Sequence, residues 1–367
     1  MDSLETLKQK AQEALSYLPE YTSKYGLNIR LNPPLLNLNQ IKNSFQSTSY
    51  IQCSPDIILK SKRDKDALNF LNTVIPFSTN KFTSLHYSQL NDFMFITVPK
   101  NYNTDEPIII NNDLDKATFS HIIIFAEENS KITIIDKDFS EKESNYYSKC
   151  IELILKDNAK VNYIHLQNLK NNKFNFCFKK ARAYKNAEVK LFDLFTGSDF
   201  CISKTECNLE EQDSSTSSLG IFIGTNQQQY DINNSTKHLE PNTTSNIKIK
   251  NIVDDNAKAL YNGLIRIEKE ARNSNGYQKA DALTLKETAE VDAIPRLEIE
   301  NHDVKCSHAT TMGEIDKSHL FYLMSRGLSE KEAIQTIING FIEPIIKEIP
   351  IEELKEEIKE FITNKIK

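Results

Sequence analysis

A short turn motif recurs at regular intervals along the middle of the chain, and it constrains the fold more than any other feature. Its clear copies occupy residues 128–132, 157–161, 185–189 and 255–259, and a fainter copy occupies 287–291. The asparagines at positions 129, 158, 186 and 242 are separated by 29, 28 and 56 residues, which indicates a repeating unit of about 28 residues. The 14-residue step from Asn242 to Asn256 indicates that half of this length is also a unit. Self-similarity at such a period is typical of solenoids.

Each copy of the motif reads as a tight turn followed by a short β-strand. Asparagine tolerates the left-handed backbone conformation that a tight turn needs, and the chain therefore manages with only nine glycines. A strand this short cannot bury its apolar face alone, whereas stacked copies bury one continuous core. We predict a mainly β protein with a right-handed parallel β-helix core over residues 86–317. An antiparallel sandwich with coincidental turns remains the alternative.

The segments on either side of the repeats have a different periodicity. Residues 1–85 are predicted to form a small helical or mixed region, with helices over 3–17 and near 64–72. Residues 318–367 are predicted to form a helical domain, in which Ser329 and Glu332 have the spacing of a capping box. The apolar stripe of these last helices fits two interpretations equally: a cap over the open end of the solenoid, or a docking surface for a partner.

Composition excludes several classes of function. The formal net charge of −6 is spread over both signs, so the chain lacks the basic footprint of a nucleic-acid-binding protein. No apolar run approaches the roughly 18 residues that a membrane helix needs. The N-terminus lacks the pattern of a secretory signal, and the six cysteines (53, 150, 177, 201, 207 and 306) contain no CxxC pair, so we expect reduced thiols in a cytoplasmic protein. A Walker-type loop is absent, and we expect no bound nucleotide.

The candidate site lies where the strands give way to helix, in residues 289–328. Residues 296–300 alternate apolar and charged side chains, and the polar stretch that follows contains Cys306 and His308. Two residues of separation on a strand put this thiol and this imidazole on one face, where they could bind a soft or borderline metal or the edge of a cluster. Two ligands make an incomplete site, and an isolated Cys-x-His pair is more often structural.

Several ordered strings in this region resemble the C-terminal signature of the SufB/SufD family, the scaffold subunits of iron–sulfur cluster assembly. The strongest matches are residues 295–299, 303–308, 320–327 and 339–344, and weaker ones are 98–100, 238–245 and 261–263. The resemblance extends over roughly residues 90 to 350. As a long ordered series, it is much more specific than a single motif.

The resemblance implies a β-helix core and a non-catalytic scaffold role. The partners that it implies are a SufC-like ABC-type ATPase and a homologous subunit, either SufB-like or a second copy of this chain. A transient iron–sulfur cluster, or iron, would form at the interface between the subunits, with His308 and Cys306 as metal ligands. The residues expected to contact the ATPase are Leu320, Phe321, Tyr322, Leu323, Ser325, Arg326, Gly327 and Phe341.

The chain departs from the SufB-type pattern at two positions. SufB-type chains carry a cysteine, thought to hold the nascent cluster, where this chain has Ala280, and often a glutamate where it has Ala309. Both differences are SufD-like, whereas residues 323–349 read more like SufB. The differences favour a partner that supplies the acceptor cysteine.

Two other functional interpretations remain for a β-helix. One is an enzyme that cleaves polysaccharides, a lyase or hydrolase, but the clustered acidic and basic groove residues that it needs are not evident. The other is a purely structural solenoid, which leaves the Cys306–His308 pair unexplained.

Overall fold

The structure is a computed structural model. It describes residues 3–21, 31, 47–52, 54, 56–60, 65–90, 93–114, 117–141, 143–170 and 172–366, so Cys53 lies outside the described residues. The described helices, apart from a 3-10 turn at Phe77–Thr79, are α1 (Leu4–Tyr17), α2 (Lys65–Leu68), α3 (Lys81–Gln89), α4 (Lys317–Ser325), α5 (Glu330–Ile346) and α6 (Glu352–Lys365). The strands are β1 (Ser47–Gln52), β2 (Ile58–Lys60), β3 (Met94–Val98), β4 (Ile108–Leu114), β5 (Ala117–Ala126), β6 (Lys131–Ser140), β7 (Tyr146–Leu155), β8 (Lys160–Leu169), β9 (Phe174–Ala183), β10 (Glu188–Phe195), β11 (Phe200–Leu209), β12 (Ser215–Gly224), β13 (Gln229–His238), β14 (Thr244–Val253), β15 (Lys258–Ile267), β16 (Ser274–Thr284), β17 (Glu290–Ile299) and β18 (Val304–Glu314).

The strands alternate between two nine-stranded sheets. The first sheet has the order β1-β4-β6-β8-β10-β12-β14-β16-β18, and the second has the order β17-β15-β13-β11-β9-β7-β5-β3-β2. All pairings are parallel except the outermost β1–β4 and β2–β3 pairs. This is a parallel β-solenoid of about seven coils, as the repeats predict, and the antiparallel sandwich is wrong.

The turns that connect the second sheet to the first contain the predicted asparagines. Every one of these turns except the last, between β17 and β18, has one residue with positive φ; the series is Asn101, Asn129, Asn158, Asn186, Asp213, Asn242 and Asn273. The backbone N–H of Asn129 donates to Asp157 O, and that of Asn158 donates to Lys185 O, both at 2.9 Å. Each turn therefore hydrogen-bonds to the turn of the next coil, which keeps successive coils in register.

The same turns also carry a ladder of side-chain amides. Asn129 Nδ2 donates to Asn101 Oδ1, Asn158 Nδ2 to Asn129 Oδ1, and Asn186 Nδ2 to Asn158 Oδ1, at 2.8–2.9 Å. An asparagine here thus supplies both the left-handed conformation and a hydrogen bond between coils.

The motif at 255–259 belongs to a second column of turns. There the residue with positive φ is Asp255 and not Asn256, so the alignment of Asn256 with the other asparagines is wrong by one residue. Asp255 lies in the same column as Ser198 and Asn226, in the turns that lead from the first sheet back to the second. One coil of about 28 residues therefore contains two strands and two turns, which explains the half-length step.

The N-terminal helices pack on the outer face of the second sheet. Leu4, Leu7 and Ala11 of α1 are buried, as their helical spacing predicts. The helix expected near 64–72 is only the four-residue α2, and α3 was not anticipated. A capping box formed by Asn80 and Thr83 begins α3, but its apolar residues lack the stripe that identifies a helix in sequence.

The C-terminal helices α5 and α6 pack along the outer face of the first sheet. Ile342 and Ile358 are fully buried in a cluster with isoleucines and leucines of β6 to β16. The rings of Phe361 in α6 and Phe139 in β6 have centroids 4.8 Å apart, which places α6 far from the strand that ends the sheet. The interpretation of these two helices as a cap over the open end is therefore wrong. None of the described helices is long and apolar enough to cross a membrane.

Candidate functional site at the open end of the solenoid

The last two strands leave the C-terminal end of the solenoid open. β17 ends the second sheet and β18 ends the first, so within the described part of the chain each has a neighbour on one side only. β18 extends through Gly313 to Glu314. Most of its side chains are exposed. An edge strand of 11 residues presents unpaired N–H and C=O groups to which another strand can add.

Cys306 and His308 lie on one face of β18, as their spacing predicts. Cys306 is aligned with Gly276 of β16, and His308 with Gln278. The Cys306 side chain is half-buried against the solenoid core, while His308 is exposed. A Cβ added at Gly276 would lie only 3.1 Å from Cys306 Sγ, so this glycine makes room for the thiol. The thiol and the imidazole are therefore both accessible from the open end.

The ionisation of Cys306 is set by its partial burial. Burial raises the pKa of the Cys306 thiol, and the backbone N–H of Ser307 only partly opposes this rise. The group is therefore a protonated thiol at neutral pH rather than an activated nucleophile. A metal ion that binds this sulfur has to displace the thiol proton.

Polar atoms without partners lie in the interior behind this strand. Both amide atoms of Gln278 and the hydroxyl of Tyr261 are buried and have no hydrogen-bond partner among the described residues. They converge at Gly263, where an added Cβ would lie 2.5 Å from Gln278 Oε1 and from Tyr261 Oη. Buried polar groups are normally satisfied, so these atoms mark hydrogen-bonding capacity just inside the open end.

Ala280 lies on the same strand as Gln278 and also faces the core. Its side chain is buried in the main core cluster, and its Cα partner on β18 is Thr310. The methyl group has no ligating atom. The interior face of this strand therefore offers no thiol beside Cys306.

The residues expected to dock an ATPase fall into two environments. Helix α4 begins at an Asp316 cap and has no buried residue; Phe321 is 73% exposed and Tyr322 is 55% exposed. The Arg326 guanidinium lies 5.2 Å from the centre of the Tyr322 ring, and Gly327 has a φ of +99°, as expected for the residue after a helix. Leu320 and Leu323 of the same helix are half-buried, and Ser325 is exposed.

Phe341 lies in the second of these environments. It packs against the cluster that joins α5 to the first sheet, beneath the ammonium group of Lys250 at 4.1 Å. Phe341 is therefore separated from the exposed aromatic residues of α4.

Sequence reasoning missed a cluster of charged residues inside the solenoid, which we call the interior charge cluster: Asp136, Asp138, Lys149, His165, Cys177, Lys179 and Asp193. Lys149 Nζ lies 2.5 Å from Asp136 and 2.8 Å from Asp138, and His165 Nε2 lies 2.7 Å from Asp138. The ammonium group already occupies the position of a cation between the two carboxylates. The cluster is therefore an ion-pair network and not a vacant metal site.

The network determines the ionisation of its members. Burial disfavours the charged form of Asp138, but Lys149 and His165 outweigh burial and hold its pKa below the usual range. Burial likewise opposes the protonation of His165, but Asp138 outweighs it and raises the pKa of His165 to about 9. One feature of the sequence predicts that these carboxylates face the interior. In β6, Asp136 and Asp138 continue the alternation of the inward-facing Ile132 and Ile134.

Fold and open end together define a class of protein: a parallel β-solenoid with an exposed edge strand that carries a thiol and an imidazole. Comparison with known proteins makes this class specific. Residues 108–341 match the family model described as "SUF system FeS cluster assembly, SufBD core domain". The chain therefore belongs to the SufBD family of iron–sulfur cluster assembly proteins.

Curated relatives support this membership. An "Iron-sulfur cluster assembly SufBD family protein" of Staphylococcus saprophyticus is 31% identical over 289 residues, which are 77% of this chain and 62% of the relative. Proteins of the same description from Staphylococcus epidermidis and Staphylococcus aureus are 30% and 31% identical over the same shares. The matched part thus spans less than two thirds of the length of these relatives.

Proposed function

We propose that this protein is a non-catalytic scaffold subunit of a SUF-type iron–sulfur cluster assembly complex. Its open end pairs with a homologous solenoid, and an iron–sulfur cluster forms as cargo at that junction. The observation that carries this proposal is the position of Cys306 and His308 on the unpaired edge strand β18. Ligands on an edge strand are brought next to those of whichever subunit pairs with that edge.

The ligand set favours a partner that contributes cysteine. Iron–sulfur clusters are held mainly by cysteine thiolates, and this open end offers one thiol and one imidazole. Ala280, which lies behind β18, cannot ligate. Two copies of this chain related by a two-fold axis would offer two thiols and two imidazoles, whereas a SufB-like paralogue would supply the missing cysteine. We therefore favour the paralogue.

Anaerobic reconstitution with iron and sulfide tests this proposal. The purified chain alone should hold little stable cluster, and addition of a paralogue with a cysteine at the position of Ala280 should restore cluster formation, measured by iron content and visible absorbance. The Cys306→Ser variant should reduce the restored cluster, while Cys201→Ser, at a fully buried thiol, should not. A stoichiometric cluster on the isolated chain that is lost in Cys306→Ser would instead make the homodimer the scaffold.

We assign the docking of a SufC-like ABC-type ATPase to helix α4. Its support is the exposure of Phe321 and Tyr322 directly after the last strand, since exposed neighbouring aromatic residues are typical of protein interfaces. Phe341 contributes indirectly, because it anchors the adjacent helix α5 to the sheet.

A single substitution tests docking better than a deletion would. Removal of residues 318–367 would uncover the apolar face of the first sheet, so loss of binding could follow from misfolding. Phe321→Ser should abolish capture of the ATPase while the free energy of unfolding changes by about 0.5 kcal/mol or less. Tyr17→Ser is the matched control, because Tyr17 is 69% exposed on α1. Undiminished capture by Phe321→Ser would refute this assignment.

A further inference from the structure

A second group of potential metal ligands lies between the N-terminal helices and the solenoid. His121 of β5 and Cys150 of β7 are Cα partners on the outer face of the second sheet. Helix α3 packs over them and contributes His86. One ring nitrogen of each imidazole and the sulfur of Cys150 lie within 4.8 Å of one another. All three side chains are buried, so solvent does not satisfy them.

The hydrogen bonds around the two histidines match those of metal ligands. His86 Nε2 and His121 Nδ1 face each other at 3.1 Å. The other nitrogen of His86 lies 2.8 Å from Ser148 Oγ, and the other nitrogen of His121 lies 3.2 Å from Glu152 Oε1. Metal-bound histidines typically donate their remaining N–H to a carboxylate or another oxygen. With those N–H groups on the outer nitrogens, the two inner nitrogens direct lone pairs at one point.

The surroundings of Glu152 independently favour a cation at this position. Its carboxylate is fully buried, and its polar partners in the described part of the chain are His121 and the hydroxyl of Tyr87. Its second oxygen, Oε2, has no hydrogen-bond partner among the described residues. Buried carboxylates are normally paired with a cation or coordinate a metal.

We propose that His86, His121 and Cys150 bind a divalent transition-metal ion of the zinc class, with Glu152 and Ser148 as acceptors for the two histidines. Two imidazole nitrogens on a tetrahedral zinc ion are roughly 3.3 Å apart, close to the separation of the two facing nitrogens. A thiolate sulfur would lie roughly 3.6 Å from each nitrogen, so Cys150 Sγ moves inward by up to about 1 Å on binding. Water or Glu152 Oε2 completes the coordination.

The protonation states of His86 and Cys150 are consistent with their role as metal ligands. Burial, together with the neighbouring His121, lowers the pKa of His86, so its imidazole is neutral and can ligate. Burial raises the pKa of the Cys150 thiol, and the nearby negative charge of Glu152 raises it further. The metal-free thiol is therefore protonated. Binding therefore releases the thiol proton to solvent, and the affinity rises with pH.

The site would join the N-terminal region to the solenoid. His86 belongs to α3, which packs against α1, whereas His121 and Cys150 belong to the sheet. A metal bound by both parts would stabilise their contact in the folded state. This role is separate from the open end, because β5 and β7 lie in early coils and β18 in the last.

Metal titration of the tag-free, full-length protein tests the site. The Cys306→Ser background removes the thiol of the open end. We expect about one zinc ion per chain and a zinc-dependent rise in the thermal midpoint. Substitution of cobalt should give a thiolate-to-cobalt charge-transfer band in the near ultraviolet. Cys150→Ser should abolish that band and the tight binding, and Glu152→Gln should weaken zinc binding by about 10- to 100-fold.

The matched control is Cys201→Ser, which alters another fully buried thiol and should leave zinc binding unchanged. Circular dichroism establishes that each variant is folded, and the titration of the parent, which carries only Cys306→Ser, does not depend on any substitution within the proposed site. Failure of the parent to bind zinc, or cobalt binding without the thiolate band, would mean that the two histidines form a hydrogen-bonded pair only. Cluster assembly at the open end could still proceed in that case.

Discussion

Two thiol–imidazole pairs in this solenoid differ in almost every physical respect. Cys177 and His165 lie in the interior, with the sulfur 3.9 Å from His165 Nδ1, and both are fully buried. Cys306 and His308 lie on the edge strand, one half-buried and the other exposed. The interior pair is surrounded by charged partners, and Lys179 Nζ lies 3.4 Å from Cys177 Sγ. Among the residues that the structure describes, none forms a comparable set of ion pairs with the edge pair.

The comparison shows how the same two residue types come to serve different roles. In the interior, the ligating atoms are already engaged by Asp138 and Lys179, so removal of a partner leaves a buried charge uncompensated. At the edge, no described residue forms an ion pair with the imidazole, and the His308 side chain is exposed, so it contributes little to packing. We therefore expect interior substitutions to alter stability and edge substitutions to alter function. Three measurements, in order of decreasing effect on stability, test this contrast.

The largest effect is expected for Asp138→Asn. This change removes the negative charge that faces both Lys149 and His165 in the buried cluster. Loss of one partner of a buried ion pair typically costs about 3–5 kcal/mol, and we expect a decrease of this size in the free energy of unfolding. Denaturant unfolding at pH 7 measures it.

The control is Glu128→Gln, which breaks the exposed pair with Lys100 and should cost less than about 1 kcal/mol. A similarly small cost for Asp138→Asn would mean that the interior charges are not coupled.

A smaller effect is expected when a rise in pH removes the contribution of His165 protonation to the free energy of unfolding. The pKa of His165 is about 9 in the folded protein and near 6.5 when unfolded, so its protonation stabilises the fold fully below pH 6.5. That stabilisation is lost as the pH rises through 9, because the folded state then also loses the proton. The destabilisation caused by His165→Gln should therefore decrease by on the order of 3 kcal/mol from pH 6 to pH 10.

The difference between the unfolding free energies of parent and variant isolates this effect from the pH dependence that the two proteins share. His308→Gln is the matched control, because it makes the same substitution at an exposed histidine outside the interior charge cluster. A pH-independent difference for His165→Gln would show that this imidazole is not protonated in the folded protein.

The smallest effect on stability is expected for His308→Ala. The side chain is exposed, and such substitutions change the free energy of unfolding by about 0.5 kcal/mol or less. Cluster formation with the paralogue present should nevertheless be impaired. Thermal unfolding and anaerobic reconstitution measure the two quantities.

Ser307→Ala, a change to an exposed neighbour on the opposite face of β18, should leave both unchanged. If His308→Ala strongly destabilised the protein while its folded fraction still supported cluster formation, the imidazole would be structural, and the contrast between the pairs would fail.

Local features were predictable from sequence because they depend on residues close together in the chain. Left-handed turn residues at intervals of about 28 predicted the solenoid, since asparagine adopts this conformation readily. The capping box of Ser329 and Glu332 is present at the start of α5, because its hydrogen bonds span only three residues. The spacing of Cys306 and His308 likewise determined that they share a face of one strand.

The remaining features were decided only by tertiary structure. One coil brings together residues that are separated in sequence: Asp138 contacts Lys149 in the opposite sheet and His165 in the next coil. His86 meets His121 because a helix of irregular pattern packs on the second sheet, and no local signal predicts that contact. The apolar stripe of α5 and α6 established that they pack, but not where, because a stripe identifies the buried face of a helix and not the surface that covers it. The helices pack on the face of the first sheet, because it offers them a continuous row of aliphatic side chains from β6 to β16.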